Sequence, residues 1–485
     1  MSRMERATSK KIVIAGAGIT GLSAAYYLLE ALGKQDRHAE ILILDKADRP
    51  GGKIRTLRRD DFVIERGPDS FLSRKLPIIE LTRSLGIEDE LVPMNPKAQK
   101  TYILHHKRLH SMPPGLVLGI PTKMSPFLKT GLVSPSGKLR AAMDLLLPRR
   151  QGDGDESLGD FLERRLGKEV HEHIAEPLLA GIYAGDTRSL SVKATFPQFH
   201  HIERTYRSLI LGMAQSRKQT QASMELPPIA KQSMFLNYRN GLGFLIESLV
   251  EHLKDKAEFR YGTSVESLDR VKDAEGRQQY LLGLNNGESL TADAVIMAMP
   301  AYETAGILKR VAEIQALQSI RYVSVANVIL AYDRPEAKLK MDGSGFLVPR
   351  KEGRFITACT WTSSKWLHAA PQGKLLLRCY VGRAGEDAWQ HMSDEEIVAG
   401  VRRELSELLD FDLAPLFVDV NRWMKAMPQY PVGHLEQMKK AEHALAEQLP
   451  GVVLAGSAYY GVGIPDCIQS GRAAAGKLAA LWSES

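Results

Sequence analysis

The sequence predicts an α/β protein of more than one domain, and three observations carry that prediction. Residues 12–15 (Ile-Val-Ile-Ala) form a short apolar run ending in Gly16-x-Gly18-x-x-Gly21. A second run, Ile41-Leu42-Ile43-Leu44, ends at Asp45, and strand-like runs recur through the second half of the chain. At 485 residues the chain is too long for one small core, so at least two domains are expected.

The first elements make one βαβ unit: a strand, a glycine turn, a helix over about Leu22 to Leu32, and a strand reaching Asp45. Such a unit implies parallel strands joined by a right-handed crossover. In the turn Gly16, Ala17, Gly18, Ile19, Thr20, Gly21, each glycine has its own task. The first makes the tight bend, the second lets the backbone approach a pyrophosphate, and the third lets helix and strand pack closely. Free N–H groups and the helix dipole then favour phosphate. Asp45 follows Gly21 by 24 residues, close to the ~20 expected of a ribose-binding acid. These residues predict a dinucleotide site without saying which dinucleotide.

The stretch from Pro77 to Arg239 reads as mostly helical and broken by prolines; Ser157 is a candidate N-cap for the segment that follows it. Residues 120–150 hold six basic side chains (Lys123, Lys129, Lys138, Arg140, Arg149, Arg150) against one acid, Asp144. This is a solvated face or a contact surface for anionic lipid or substrate. Beyond Gly241, strands are expected at Glu258–Tyr261, Ser264–Leu268 and Ala294–Met299. A hairpin is expected through Asn286-Gly287. Residues 320–423 read as a second sheet-containing domain. The chain closes with a strand at Val452–Ala455, a glycine-rich turn, and a helix from about Asp466.

Composition excludes several classes. With 44% hydrophobic and 25% charged residues the chain is globular. The net charge of +7 suits an anionic ligand but lacks the dense basic face of a nucleic-acid binder. Cys359, Cys379 and Cys467 form no C-x-x-C pair, so a disulfide framework and a zinc site are not expected, and a cytoplasmic setting fits. His105, His106 and His110 lack a clear partner set, so no metal site is predicted. The basic start (Arg3, Arg6, Lys10, Lys11) and apolar run Ile12–Gly33 superficially resemble a signal peptide or membrane helix. Glu30 and the three glycines that break that run, Gly16, Gly18 and Gly21, argue for strand, turn and helix instead. No stretch has the ~20 apolar residues needed to cross a bilayer, so membrane contact is peripheral at most.

Arg49-Pro-Gly51-Gly52-Lys53 and Glu65-Arg66-Gly67-Pro68-Asp69 follow the fingerprint. With it they resemble the amine-oxidase-like FAD superfamily, and this resemblance selects FAD over NAD. Near the other end, Gly461 and Gly463 permit close approach to a ring system. The helix that follows presents its N-terminus there, which favours negative charge on a reduced flavin.

Three stretches narrow the resemblance further: Glu65-Arg-Gly-Pro-Asp-Ser-Phe-Leu, Glu176-Pro-Leu-Leu-Ala-Gly-Ile-Tyr-Ala-Gly-Asp, and Gly461-Val-Gly-Ile-Pro-Asp-Cys-Ile. They resemble the protoporphyrinogen/coproporphyrinogen oxidase family of haem synthesis, most of all its Gram-positive type. Ala358-Cys359-Thr360-Trp361, Arg422-Trp423 and Met427-Pro428-Gln429-Tyr430 add to it, so the likeness runs from residue 11 to the C-terminal helix. The resemblance implies a two-dinucleotide-binding-type FAD fold with a mixed-sheet substrate domain and a helical domain. Residues 1–76, 237–300 and 430–485 are expected to bind FAD, 77–236 to be mainly helical, and 301–429 to form the substrate domain.

It also implies non-covalent FAD held by Gly16 to Gly21, Asp45, Lys46, Gly52, Lys53, Arg66, Gly67, Pro68, Asp69, Val265, Trp423, Val462, Gly463 and Ile464. The family more often has Glu at the position of Asp45. Lys75 matches a lysine near the substrate, a candidate for pairing with a propionate; otherwise it is a solvent-exposed lysine. The implied reaction is six-electron oxidation of coproporphyrinogen III to coproporphyrin III, with molecular oxygen as acceptor and hydrogen peroxide released. Hydride leaves a meso carbon as a pyrrole nitrogen loses its proton. Transient contact with downstream haem-synthesis enzymes fits the same role. The alternatives are protoporphyrinogen IX as substrate, an amine or carotenoid oxidase of the same fold, and a non-catalytic tetrapyrrole carrier.

Overall fold

Five parallel strands carry the glycine turn, in the order Glu258–Tyr261, Ala39–Asp45, Lys10–Ala15, Ala294–Met297, Val452–Leu454. They belong to a computed structural model that describes residues 10–220, 226–333 and 341–483; Arg3 and Arg6 lie outside the described residues. Ile12, Ile14, Ile41, Ile43 and Ile296 enter one core, while Val13, Leu42, Val295 and Met297 enter the core on the opposite face. Burial on both faces is why these strands read as continuous apolar runs rather than alternating ones.

The helix after the turn spans Ile19–Gly33 and begins before Leu22, because Gly18 serves as its N-cap and accepts from the Leu22 N–H at 3.0 Å. The closing helix, Ile464–Ser483, lies against it. A Cβ on Gly471 would stand 2.4 Å from the Thr20 carbonyl oxygen, so the two backbones nearly touch there. An antiparallel sheet of Val265–Lys272, Gln278–Leu284 and Ser289–Ala292 turns through Asn286-Gly287 as expected, with Gly287 at φ +83°.

The second large sheet has seven strands, ordered Phe417–Pro428, Tyr322–Asp333, Lys374–Val381, Ile356–Trp361, Gly343–Leu347, Lys100–His105, Arg108–Ser111. It is mixed, because Lys100–His105 pairs parallel with Gly343–Leu347 while its other pairings are antiparallel. Residues 77–239, read as mostly helical, hold chiefly helices, but they also contribute the Lys100–His105 and Arg108–Ser111 strands to this sheet. Strands also occur there at Leu91–Pro93, Leu116–Val117, Ile120–Pro121 and Phe235–Tyr238. The Lys100–His105 partner lies about 240 residues downstream, so no local pattern announces it.

The helices of residues 124–220 surround a core of their own. Ser157 caps Leu158–Leu166 as predicted, its Oγ accepting from the Asp160 N–H at 3.0 Å. Asp144, the lone acid among the basic residues, is fully buried. It accepts from Arg165 Nε at 2.6 Å, Ser208 Oγ at 2.6 Å and the Ile210 N–H at 3.0 Å, and so ties three segments together from beneath. Among the described residues no helix is long and apolar enough to cross a membrane.

Candidate active site

Gly16 turns the chain at φ +119°, where a Cβ would meet the Ala298 carbonyl oxygen at 2.4 Å. A Cβ on Gly21 would stand 1.8 Å from the Gly16 carbonyl oxygen, so Gly21 serves packing. A Cβ on Gly18 would meet no protein atom within 4 Å and would stand in open space. The Asp45 carboxylate reaches this turn from the next strand. One oxygen accepts from the Ala17 N–H at 2.7 Å and the other from the Ala47 N–H at 2.8 Å. Each oxygen retains a second lone pair for a hydroxyl.

The second glycine pair lies directly on the first turn. Gly51 donates to the Ala17 carbonyl at 2.8 Å, and a Cβ on Gly52 would be 3.3 Å from the Gly18 Cα. Lys46 pairs with Glu303. Lys53 points inward and donates to the Ala426 carbonyl, and burial pushes its ammonium below the ordinary lysine value. Val265 is buried just past Thr263, whose N–H bonds the Asp45 carbonyl at 2.9 Å, so it stands beside the end of that strand.

Residues 65–69 cross between the two large sheets. The Arg66 guanidinium grips Asp419 at 2.7 and 2.8 Å. The Arg66 carbonyl accepts from Trp423 Nε1 at 2.7 Å and from Asn327 at 2.6 Å. Gly67 cannot carry a side chain, since a Cβ would sit 1.9 Å from the Lys53 carbonyl oxygen. The Gly67 carbonyl accepts from Arg378 at 2.6 Å, and Asp69 beyond Pro68 pairs with Lys365 at 2.9 Å. Burial works to raise the Asp69 carboxyl, but Lys365 and Arg378 outweigh it and hold it well below the usual carboxylate range. Glu65 accepts from the Leu242 N–H at 2.6 Å and Thr56 Oγ1 at 2.8 Å, and burial pushes its carboxyl up to about 7.

Three remote stretches meet at the Gly461–Ile464 turn. Tyr430 donates to the Ser457 carbonyl, and its hydroxyl accepts from the Gly461 N–H at 3.0 Å. Tyr183 of Glu176–Tyr183 stands edge-on to Tyr430 with ring centroids 5.7 Å apart, and its carbonyl accepts from Gln429 at 2.8 Å. Val462 packs against the helical core, and Ile464 against the core beneath the parallel sheet. From the 65–72 side, Lys75 donates to Asp466 Oδ1 at 2.7 Å. The structure therefore brings Gly16–Gly21, Asp45, Gly52 and the 65–69 segment into one connected run, with Trp423 and the 461–464 turn adjoining it.

The sequence reading gave no role to Arg378, Lys365, Asn327 and Asp419, nor to Tyr430, which it quoted only within a resembling stretch. Arg378 left a signal: one charge inside the apolar strand Leu375-Leu376-Leu377-Arg378-Cys379, which folding must bury. His105 and His110 lie on the two strands of a hairpin, and His106 with Lys107 forms its turn at positive φ. The His105 ring lies 4.7 Å from that of His173. Among the described residues no group of three or more His, Cys, Asp or Glu side chains is arranged to hold a metal ion.

A family model described as flavin containing amine oxidoreductase matches residues 19–479. The coproporphyrinogen III oxidase of Bacillus subtilis (strain 168) is 44% identical over 465 residues, spanning 96% of this chain and 97% of that one. The coproporphyrinogen III oxidase of Staphylococcus aureus (strain NCTC 8325 / PS 47) is 38% identical, with 97% and 99% of the two chains covered. A crystal structure from Exiguobacterium sp. 255-15, provisionally described as a protoporphyrinogen oxidase, superimposes with a TM-score of 0.86. That match is 35% identical and covers 98% of this chain and 99% of that one.

Proposed function

The chain belongs to the flavin containing amine oxidoreductase family, and from that premise we propose that it oxidises coproporphyrinogen III to coproporphyrin III with non-covalent FAD and molecular oxygen. The observation that carries this reading is the convergence at residues 461–466. Two of the stretches resembling the porphyrinogen oxidases supply Tyr183 and Asp466 to one place, and Lys75, three residues beyond the stretch 65–72, joins them there from a distant part of the chain. The two relatives named as coproporphyrinogen III oxidases cover nearly the whole chain.

The residues present fit FAD. Gly18 leaves a cradle that a side chain would fill, and Asp45 is fixed by two backbone N–H groups beside it. Gly16 to Gly21 and Gly52 would hold the pyrophosphate, Asp45 and Lys46 the ribose, and Val265 the adenine end. Arg66 to Asp69, Lys53, Trp423 and Val462 to Ile464 would hold the flavin end. Bound FAD supplies a two-electron acceptor, so three rounds, each with one O2 and releasing one H2O2, account for the six electrons removed.

The chain's own residues bind and orient the substrate. Lys75 offers a half-exposed ammonium to a propionate. Arg66, Trp423 and Asn327 fix the segment that joins the cofactor and substrate sheets. We assign the parallel-sheet segments 1–76, 237–300 and 430–485 to the cofactor domain and 301–429 to the substrate domain. Within 77–236, the Lys100–Ser111 hairpin completes the substrate sheet. A cytoplasmic enzyme with at most peripheral membrane contact fits the absence of a spanning helix among the described residues.

The test is purified protein in air with each porphyrinogen. Coproporphyrin fluorescence with three peroxides per porphyrin, and a higher kcat/KM than for protoporphyrinogen IX, are expected. Faster oxidation of protoporphyrinogen would overturn the substrate, and bound porphyrin without peroxide would indicate a carrier. FAD released on denaturation is expected; flavin retained on the chain would overturn non-covalent binding.

A further inference from the structure

Asp466 is not among the residues assigned above to hold cofactor or substrate, yet its placement is specific. Its Oδ1 accepts from Lys75 at 2.7 Å across 391 residues of sequence. The carboxylate is folded back over the turn: a Cβ on Gly461 would lie 2.6 Å from Asp466 Cβ, and one on Gly463 would lie 2.9 Å from Oδ2. The missing side chains at Gly461 and Gly463 therefore make room for Asp466. The residue lies in the first turn of Ile464–Ser483, where the helix dipole favours its charge. That charge also reaches Tyr183, Tyr430 and Cys467, adding to the burial that raises all three. Lys75 is 47% exposed and Asp466 31%, so the pair faces outward from the meeting point.

A carboxylate seeking Lys75 thus meets an ammonium that already has a carboxylate partner. We propose that Asp466 is a positioning residue that competes with the substrate's and product's carboxylates for Lys75. It holds the ammonium over the turn in the free enzyme and reclaims it as the porphyrin leaves. This rests on Lys75 contacting a propionate, as in the reading above. Asp466 weakens binding of tetracarboxylate substrate and product alike and speeds product release.

The test uses the flavin-loaded enzyme and measures coproporphyrin III affinity by fluorescence titration, together with kcat and KM for coproporphyrinogen III. Asp466→Asn should tighten coproporphyrin binding by about fivefold, the scale of a partly exposed ion pair. KM and kcat should fall together, because product leaves more slowly. In a Lys75→Met background the same change should have no effect on affinity, and Asp466→Glu should restore wild-type behaviour. Asp466→Ser is the second neutral variant should Asn fail to retain flavin. Unchanged product affinity in both neutral variants overturns the proposal, and so does equal tightening without Lys75. If wild-type protein forms no coproporphyrin at all, the reaction assigned above fails instead, which the wild-type arm reports separately.

Discussion

A Cβ placed on Gly21 would stand 1.8 Å from the carbonyl oxygen of Gly16, whereas one placed on Gly18 would meet no protein atom within 4 Å. The two glycines share a motif but not a reason for being glycine. Gly18→Val should therefore give folded protein that has lost its flavin, and Gly21→Val should give protein that fails to fold. Far-ultraviolet circular dichroism and the flavin absorbance of purified protein separate the outcomes. Full flavin content in Gly18→Val would sink the phosphate placement.

Glu65 predicts a pH dependence of stability. Burial raises its carboxyl from the ordinary 4.5 to about 7, so the folded state holds its proton more tightly than the unfolded chain. Its contribution is fully present below about 4.5 and is lost as the pH rises to about 7. Across that window the loss is on the order of 3 kcal/mol. Glu65→Gln keeps an amide oxygen for the Leu242 N–H but cannot ionise. Denaturant midpoints from pH 4 to 8 should fall with pH in the wild type more steeply than in the variant. Parallel profiles would remove Glu65 as the cause.

Asp144 and Arg165 are both without solvent exposure. Asp144→Ala would take from the buried guanidinium its nearer carboxylate, leaving Glu203 at 3.5 Å and backbone carbonyls, and would orphan two donors, Ser208 Oγ and the Ile210 N–H. Removing one partner of a buried pair costs about 3–5 kcal/mol. A denaturant melt of the variant should show a loss of that size, and a loss below about 1 kcal/mol would mean that water replaces the carboxylate. Exposed Lys129 in the same basic stretch should tolerate alanine in that assay.

What was legible in the sequence follows the range of each interaction. The βαβ unit was legible because its strands, glycines and Asp45 lie within 36 residues, from Lys10 to Asp45, each with a local signature. The Lys100–Ser111 hairpin was not, because the Gly343–Leu347 strand that stabilises it lies in another part of the chain. Asp144 read as one acid among lysines and arginines, since nothing local reveals that Arg165 and Ser208 enclose it. Arg378 stood in plain view inside an apolar strand, where a charge demands a partner. Lys75 was picked out by resemblance alone, and its partner Asp466 could be seen only once the ends of the chain were brought together.

Lys75→Glu tests the substrate side of the site without touching the glycine cradle. The change sets a second carboxylate beside Asp466, where a 2.7 Å ion pair now stands. Like charges at that spacing repel each other and any approaching propionate, so kcat/KM for coproporphyrinogen III should fall by a factor on the order of ten or more. Protoporphyrinogen IX, with two fewer carboxylates, should lose less. Flavin content should be unchanged, because Lys75 stands at the mouth of Leu76–Ser84 and not in the 16–21 turn or the 65–69 crossing. Steady-state kinetics with both porphyrinogens, alongside flavin absorbance, read the three outcomes. Turnover equal to the wild type would return Lys75 to the role of a surface residue, and loss of flavin would place it in the cofactor's own support.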